Sequence, residues 1–541
     1  MRRADAGIIS LVNSIPALAF PPRSRLARLR RSACALAVAV LASSLPGRAQ
    51  TTPNNTVLPT LGDSARGDLS PIMERKLGEE IMHDIRRDPD FLDDDAVLEY
   101  LNNFGSGLVA AVPSVRGETN NDLYFFAVRD PMINAFALPG GFIAVHSALL
   151  LAAQTESELA SVLSHEIGHV AQRHIARMIG QQKQDVLIPL ASMILAALAS
   201  KAGGDAAIGV MMGGQGLALQ RQLNFSRDAE READRVGFQI MGAGGYDTSG
   251  MVAFFRRLQS ASRNYSDVVP PWLQSHPLTS ERIADIQARI RELPYRQRID
   301  ALEFQLMRAR VRVLQDETSV GRAEAKAALE SQLTQQSRQL QSGAQYGLAF
   351  LALKKGELAA AQSWLDKARG TVRPVQGAVF STGQASSDGG AMFTALGLEI
   401  KLAPGQPAAV TQQALKDAEQ AHDKYPLARG IARQYAEAMI ANGKLDEAGR
   451  YLREQVQQYR EEPKLEDLLA KAYAAQGKKA LQHMALAESY VLGGSLPAAL
   501  DQLSIARKAG DASFYDMAVI DARERELQAR HREDIKEAKK N

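Results

Sequence analysis

The stretch Ser164-His165-Glu166-Ile167-Gly168-His169 decides how this chain folds and which chemistry it can carry. On a helix, residues four apart lie on one face, so the imidazoles of His165 and His169 point in the same direction. Such a pair can chelate zinc, and Glu166, about 100° around the helix, can reach a water on the open side. Two core histidines satisfied by hydrogen bonds are the alternative. We favour the first explanation, which predicts the centre of a zinc-dependent peptidase.

The helix that carries this motif is predicted by the residues around it. Thr155-Glu156-Ser157-Glu158 has the pattern of a capping box, which satisfies the first amides of a helix. Apolar residues then recur at helical spacing, at Leu159, Val162, Leu163, Ile167 and Val170. The metal ligands therefore lie in the middle of a rigid element.

Length and charge restrict the function classes. The chain has 541 residues, too many for one hydrophobic core, which suggests about three segments. Its formal net charge is +3, close to balance, and no basic patch with interleaved aromatic residues stands out. Nucleic acid is therefore not an expected partner.

Residues 1–49 have the features of a secretory signal peptide. A basic stretch begins at Arg25, an apolar run covers Ser32–Leu45, and small residues end at Ala49, where we expect cleavage. The residues before Arg25 make this signal unusually long, so a later start codon is an alternative. The one cysteine, Cys34, lies here, so the mature chain has no thiol. A cysteine-free exported protein fits the bacterial periplasm best.

A polar linker at residues 50–67 is followed by four helices that flank the motif. They have apolar residues at helical spacing and are predicted at Ile72–Arg87, Ala96–Val109, Tyr246–Arg257 and Ser280–Arg291. The acidic run Asp93–Asp95 is expected to cap the second helix. The apolar, glycine-rich segment 186–219 is too short or too broken to span a membrane. It is either a lid or, as we favour, a pair of buried helices.

Three short runs rich in apolar and aromatic residues predict strands ahead of the motif. They are Leu123–Val128, Asn134–Leu138 and Phe142–Val145, and Pro139-Gly140-Gly141 separates the last two. This pattern predicts a β-hairpin that leads into the zinc-binding helix. The sheet edge could hold a peptide substrate as an added strand, or the hairpin could serve only the core, and both alternatives stay open.

A second charged helix, predicted at Asn224–Gly237, carries Glu230 and Asp234 four residues apart on one face. A catalytic zinc needs a third protein ligand and groups that orient the ligands, and two carboxylates one turn apart could supply both. The alternative is an ordinary solvated face, which charge runs usually form.

Three motifs occur in order along the chain: Asn134–Gly141, His165-Glu166-x-x-His169 and Ser226-Arg227-x-x-Glu230-x-x-Ala233-Asp234. Together they resemble the zinc metallopeptidases related to CAAX prenyl proteases and the HtpX heat-shock proteases. A signal peptide, this domain and a helical-repeat tail are more closely similar to the periplasmic β-barrel assembly-enhancing protease type. The resemblance covers about residues 70–290 by motif, and the tail by architecture only.

The resemblance implies one zinc ion per chain, bound by His165, His169 and Glu230. It also implies Glu166 as the general base and Asp234 as a residue that supports the ligands from behind. The membrane-embedded members have spanning helices that this chain lacks, so a soluble periplasmic form is implied, and peripheral membrane contact stays open. The implied partners are unfolded or stalled outer-membrane β-barrel proteins and the β-barrel assembly machinery.

The C-terminal part shows an internal register of small residues. Gly356, Gly443 and Gly494 each have alanine seven residues before, alanine five after and leucine nine after. This register is typical of tetratricopeptide repeats, in which small residues let paired helices approach closely. Gly477 lies 34 residues after Gly443 and half a period before Gly494, so the array is irregular, and residues 370–391 interrupt it as a loop. A generic helical bundle is the alternative.

The predicted fold class is an α+β, zincin-type metallopeptidase domain at residues 68–295, followed by an all-α tetratricopeptide-like solenoid at 296–541. The predicted function is an exported zinc endopeptidase for quality control of outer-membrane proteins, with repeats that recruit clients and a chaperone-like activity beside it. The alternative is a repeat-based chaperone or scaffold with incidental proteolysis. The intact Glu166 favours the enzyme.

His276 is a second candidate catalytic residue. Pro277 restricts it to an extended backbone, shortly before the helix that begins at Ser280. Its imidazole could fill the fourth position on zinc and displace the catalytic water, or it could donate a hydrogen bond to the oxyanion of the reaction. A surface turn with no metal role is the third alternative.

Overall fold

A computed structural model describes residues 69–116, 122–181, 227–264, 271–294, 296, 298–372, 389–460 and 462–540. The predicted signal peptide, the linker at 50–67 and the apolar segment 186–219 lie outside the described residues, as does most of the loop at 370–391. Among the helices described, none combines the length and the apolar character needed to cross a bilayer.

Both helices predicted ahead of the strands are confirmed. Helix α1 covers Pro71–Ile85 and α2 covers Asp95–Ala111. Ser70 and Asp94 precede them, and each side chain accepts a hydrogen bond from the amide three residues later, at 3.3 and 3.1 Å. The second of these contacts confirms the acidic cap.

Three strands form one sheet: β1 (Tyr124–Val128), β2 (Ala135–Leu138) and β3 (Phe142–His146). Strand β3 lies in the middle, antiparallel to β2 and parallel to β1. The predicted hairpin is therefore confirmed for β2 and β3, which Pro139–Gly141 connect. Gly140 has a φ of 76°, the left-handed conformation that favours glycine, so the chain can reverse here.

The sheet is buried on both faces. Because side chains alternate along a strand, Phe125 and Ile143 face one apolar core, and Phe126 and Ala144 face another. The first core includes the helix that carries the His-Glu motif, whereas the second lies beneath α1. The motif helix is thus packed firmly against the sheet.

Seven described helices lie between β3 and residue 291. They are α3 (Ser147–Ala152), α4 (Glu156–Ala171), α5 (His174–Gln181), α6 (Arg227–Ala243), α7 (Ser249–Asn264), α8 (Pro271–Ser275) and α9 (Ser280–Arg291). The His-Glu motif lies on α4, and Arg227 to Asp234 of the second motif lie on α6, as predicted. The predicted start of α7 at Tyr246 is wrong, because Asp247 Oδ1 accepts from Ser249 N at 2.9 Å and so fixes a later start.

From residue 302 onward the described chain is largely helical. The helices are α10 (Leu302–Leu314), α11 (Ser319–Gln332), α12 (Arg338–Lys354), α13 (Leu358–Val372), α14 (Gly390–Leu402), α15 (Ala408–Lys424), α16 (Arg429–Ala441), α17 (Leu445–Gln458), α18 (Pro463–Ala475), α19 (Lys479–Leu492), α20 (Leu496–Lys508) and α21 (Phe514–Lys540). Most of them pack against the helix that follows in sequence.

The register of small residues has two structural causes. Its alanines are all buried between helices: Ala349, Ala361, Ala436, Ala448, Ala487 and Ala499. Gly356, Gly443 and Gly494, in contrast, lie in turns after helices, with φ values of 76°, 73° and 72°. The alanines allow close helix contact, as predicted, whereas the prediction for the glycines is wrong, because they provide left-handed turns.

Arg310 of α10 joins the helical region to α2. Its buried side chain lies 2.8 Å from both the Asp94 and the Glu399 carboxylates, and 4.0 Å above the ring of Phe350. Because Asp94 also caps α2, one guanidinium connects that helix with α12 and α14. One apolar core also continues from the sheet into these helices.

We expect Arg310→Met to lower the free energy of unfolding by about 3–5 kcal/mol, because the largely buried carboxylates of Asp94 and Glu399 lose their cation. Urea unfolding followed by circular dichroism measures the change. Arg289→Met is the matched control, since it removes an exposed pair with Asp285 at 2.9 Å and should cost less than about 1 kcal/mol. Equal losses in the two variants would contradict the role given to Arg310.

Candidate active site

Helices α4 and α6 cross closely, and a glycine on each permits the contact. A Cβ on Gly168 would lie 2.9 Å from the carbonyl oxygen of Ala233. A Cβ on Gly237 would lie 3.0 Å from the amide nitrogen of His165. Larger residues at either position would push the helices apart. The crossing therefore brings Glu230 of α6 beside the histidines of α4.

Four buried side chains converge at this crossing: His165, His169, Glu230 and His276, with one ligand atom of each within 4.8 Å of the others. His165 Nε2 lies 3.0 Å from His169 Nε2 and 3.3 Å from His276 Nδ1. Glu230 Oε1 lies 2.9 Å from His276 Nδ1 and 3.5 Å from His169 Nε2. The structure thus brings together the three predicted ligands and adds His276 to them.

These separations fit a tetrahedral zinc site. With metal–ligand bonds of about 2.1 Å, the ligand atoms of a tetrahedron lie about 3.4 Å apart. The tautomer of His165 fits as well. Its Nδ1 lies 3.0 Å from Asp234 Oδ1, and because an ionised carboxylate attracts a proton, a neutral ring would carry its proton on Nδ1 and present the lone pair of Nε2 to the site. The residues present could therefore hold a zinc ion.

Arg282 of α9 lies between two buried carboxylates of α6, those of Glu230 and Asp234. It donates to Asp234 at 2.7 and 2.8 Å and lies 2.7 Å from Glu230 Oε2, which leaves Glu230 Oε1 for a metal. Burial alone would raise the pKa of Asp234, but Arg282 and His165 lower it. Burial would also raise the pKa of Glu230, and the neighbouring imidazoles lower it well below its usual value. Both side chains are therefore ionised.

The imidazoles differ in their affinity for protons. Burial lowers the pKa of His169 well below its usual value, and it lowers that of His174, which lies behind His169, to about 4. Burial would lower the pKa of His165 too, but hydrogen bonds to Asp234 and Glu230 raise it to about 9. Because a metal ligand must be a neutral ring, metal and proton compete at His165.

Glu166 points from α4 towards the edge strand β2. Its Oε2 accepts from Ala137 N at 3.1 Å, and its Oε1 accepts from Trp272 Nε1 at 3.4 Å. Burial raises its pKa, while His276 and His165 oppose that change. A carboxylate with a raised pKa beside a metal position is suited to take up a proton and return it.

His276 lies inside the site, so the surface-turn alternative is wrong. Its ring is 1% exposed, and its amide donates to the carbonyl of Trp272 at 2.8 Å, at the end of the short helix α8. Its Nδ1 completes the set of four ligand atoms, and its Nε2 lies 3.6 Å from Glu166 Oε1. The ring therefore faces the three proposed ligands, where its Nδ1 could serve as a fourth.

Comparison with known proteins agrees with this geometry. Residues 109–290 match the sequence profile of peptidase family M48. β-Barrel assembly-enhancing proteases from Escherichia coli (strain K12) and Yersinia pestis are 30% and 31% identical over 470 and 480 residues, which is 86% and 87% of this chain and 90% and 91% of theirs. This chain belongs to peptidase family M48. It is a zinc metallopeptidase of the β-barrel assembly-enhancing protease type.

A Vibrio cholerae relative, provisionally named as such a protease, is 39% identical over 279 residues. That match covers 51% of this chain and 56% of the relative, so the chain spans just over half the length of that protein. The family profile at 109–290 includes all three motifs that carry the resemblance, and the alignments over 86% and 87% of the chain extend into the helical region.

Sequence reasoning misses several residues of this M48 site. Trp272 and the amide of Ala137 belong to no metal-binding pattern, and only the fold places them beside the catalytic motif. His174 follows His169 by five residues, which is not a same-face spacing on one helix. Its partner Glu232 lies only two residues after a predicted ligand and carries no separate signal. Proximity to the motifs is the only sequence signal for His174 and Glu232.

Proposed function

We propose that this M48 member is a zinc-dependent endopeptidase in which His165, His169 and Glu230 hold one ion per chain. The convergence of these three side chains from two separate helices is the observation that carries the proposal. Glu166 is the general base. Asp234 lies behind His165 and fixes its tautomer.

When bound, zinc supplies Lewis-acid activation of a water and polarises the scissile carbonyl. Glu166 accepts the proton of the attacking water and returns it to the leaving amine. The amide of Ala137 and the indole of Trp272 hold its carboxylate in place. Arg282 holds the second oxygen of Glu230, so the ligand keeps one orientation.

An extended peptide would bind along the outer edge of β2. This strand lies at the edge of the described sheet, and the amide of Ala137 is directed at Glu166. Backbone pairing at this edge would bring the scissile bond to the base and would accept many sequences. The contact between the Ala137 amide and Glu166 supports this placement, and the burial of the sheet on both faces also suits a hairpin that serves the core.

The name of the relatives supports a role in β-barrel assembly for this chain as well. The proposed clients are unfolded or stalled outer-membrane β-barrel proteins, handled in the periplasm together with the β-barrel assembly machinery. Identity of 30% to 31% over most of the chain and the predicted signal peptide support this assignment. Residues 68–295 would carry the catalysis, and a tetratricopeptide-like array at 296–541 would recruit clients. The buried alanine register supports the array.

A repeat-based chaperone or scaffold with incidental proteolysis is the second candidate, and one observation favours it. His276 Nδ1 lies beside the three proposed ligands, so in this conformation it could take the fourth position on a bound ion in place of water. For a protease, the same contact makes His276 a latch that holds the site inactive. The oxyanion-donor alternative has less support, because Nδ1 faces the ligands.

Glu230→Ala should lose most of its zinc, because it removes one of the three proposed ligands. Mass spectrometry of the metal in purified protein is expected to give about one zinc per wild-type chain and far less in the variant. Asp228→Ala, an exposed carboxylate in the first turn of the same helix, should keep full occupancy. Full occupancy in Glu230→Ala would show that the third ligand is another residue.

Glu166→Gln should keep its zinc and lower peptide hydrolysis at least about 100-fold, because general-base catalysis is worth that much. The decisive measurement uses Escherichia coli cells that lack their own β-barrel assembly-enhancing protease. Wild-type chain should restore outer-membrane protein levels, and Glu166→Gln should not. Full restoration by the inactive variant would favour the scaffold function.

His276→Ala should raise the basal rate of casein cleavage several-fold at unchanged zinc content, because it frees the fourth ligand position. A lower rate with zinc still bound would instead support the oxyanion-donor alternative. His422→Ala, which changes a half-buried histidine of the helical region, serves as the control. An unchanged rate in His276→Ala would remove both catalytic roles.

A further inference from the structure

His174 lies directly behind the proposed ligand His169. Its ring is 3% exposed, and its Nδ1 lies 2.8 Å from His169 Nδ1. On the other side of the ring, Nε2 lies 3.1 Å from Glu232 Oε2, which also accepts from Arg177 at 2.7 Å. Glu232 and Glu230 belong to the same helix, α6. Helix α6 and the segment that carries His169 and His174 are therefore in contact behind the metal position as well as at the metal position.

The Glu232 carboxylate determines which atoms donate and which accept along the series from Glu232 through His174 to His169. Glu232 is an acceptor, so His174 Nε2 carries the proton and donates it. In a neutral ring, Nδ1 of His174 is then bare and must accept, so His169 donates from its own Nδ1. The Nε2 of His169 is left with a lone pair, and it is this atom that lies 3.0 Å from His165 Nε2 at the centre of the site.

We propose that His174 and Glu232 are positioning residues that fix the tautomer and the ring orientation of His169 for zinc. The inference rests on the proposed zinc site. Asp234 does the same for His165 through a direct carboxylate contact at 3.0 Å. For His169, an imidazole stands between the ligand and the carboxylate. Partners of this kind raise metal affinity, because the ligand is held ready with its lone pair exposed.

The backbone between the two histidines supports this assignment. Arg173 has a φ of 50°, and within the described ranges no other non-glycine residue has a positive φ. This left-handed residue ends the turn after α4, so that His174 returns beneath His169. The strain persists because Arg173 donates to Glu74 at 3.1 Å and to the carbonyl of Leu69 at 2.7 Å.

The competing explanation is that His174 only fills space between α5 and α6. Two substitutions separate the explanations. In His174→Asn, the amide oxygen can take the place of Nδ1 and accept from His169, although the contact with Glu232 is lost. In His174→Leu, a side chain of comparable volume offers no acceptor. A hydrogen-bonding role predicts different effects for the two variants, whereas a packing role predicts similar ones.

The experiment measures zinc affinity of the metal-stripped full chain by competition with a chromophoric chelator, with zinc alone as the probe. His174→Leu should bind zinc about 10- to 100-fold more weakly, and His174→Asn should stay close to wild type. Thermal unfolding of the metal-free proteins checks that both variants are folded. His422→Leu, in the helical region, should bind zinc as the wild type does.

Wild-type affinity in both variants, or equal loss in both, would overturn the inference. If His174→Leu does not fold, the comparison is made between Glu232→Gln and Glu232→Ala. Glutamine keeps a carbonyl acceptor for His174, and alanine does not. Zinc binding should then be weaker in the alanine variant, and equal affinities would overturn the inference. Failure of the wild-type chain to bind zinc would instead refute the proposed zinc site itself.

Discussion

The need to neutralise buried charge constrains the whole catalytic centre. Glu166, Glu230 and Asp234 are all at most 3% exposed, and Arg282 is the guanidinium among them. Three carboxylates against one cation leave two negative charges, which a divalent ion neutralises. An uncompensated buried charge costs several kcal/mol, on the order of the whole stability of a domain. The raised pKa of His165 has the same origin, because a ring proton partly replaces the metal charge.

This centre is tied to the helical region through the start of the ligand-bearing helix. The amide of Glu156 donates to Asp300 Oδ1 at 2.9 Å, and the Glu156 carboxylate accepts from the amide of Ala301 at 2.9 Å. The hydroxyl of Tyr100 also donates to Glu156, at 3.1 Å. Helices α4 and α10 therefore cap each other's first turn. A shift of α10 would leave a buried amide without its acceptor, so α4 and its histidines must follow that shift.

The local patterns of this chain are readable from sequence because each is completed within one element. The capping box predicted at Thr155–Glu158 is only half formed. Thr155 Oγ1 accepts from Glu158 N at 3.1 Å as predicted, but the Glu158 carboxylate accepts from Gln154 N at 2.7 Å and also pairs with Arg257. The second half of the box is not formed, because one oxygen of Glu158 accepts from the amide of Gln154 and the other pairs with the distant Arg257. Side-chain competition of this kind depends on tertiary packing, which periodicity does not contain.

The other features of the site that the sequence does not predict depend on long-range contacts. Arg282 lies 48 residues after Asp234, and its bidentate contact exists only because α9 packs against α6. Pro277 does suggest a constrained His276, but the burial of that ring depends on where α8 is packed. The two apolar faces of the sheet, in contrast, follow from strand alternation alone, since a shift of one residue would exchange them.

Helix α8 couples access to the metal with the state of the base. Trp272 and His276 share one turn, joined by a backbone hydrogen bond of 2.8 Å, with ring centroids 5.1 Å apart. The indole of Trp272 donates to Glu166, and the imidazole of His276 lies against Glu230. A displacement of this helix that frees the fourth ligand position therefore also removes a donor from the general base. Loss of that donor disfavours the ionised form of Glu166 unless substrate or water replaces it. Opening the metal position therefore also shifts Glu166 towards its protonated form, until substrate or water supplies a donor in place of the indole.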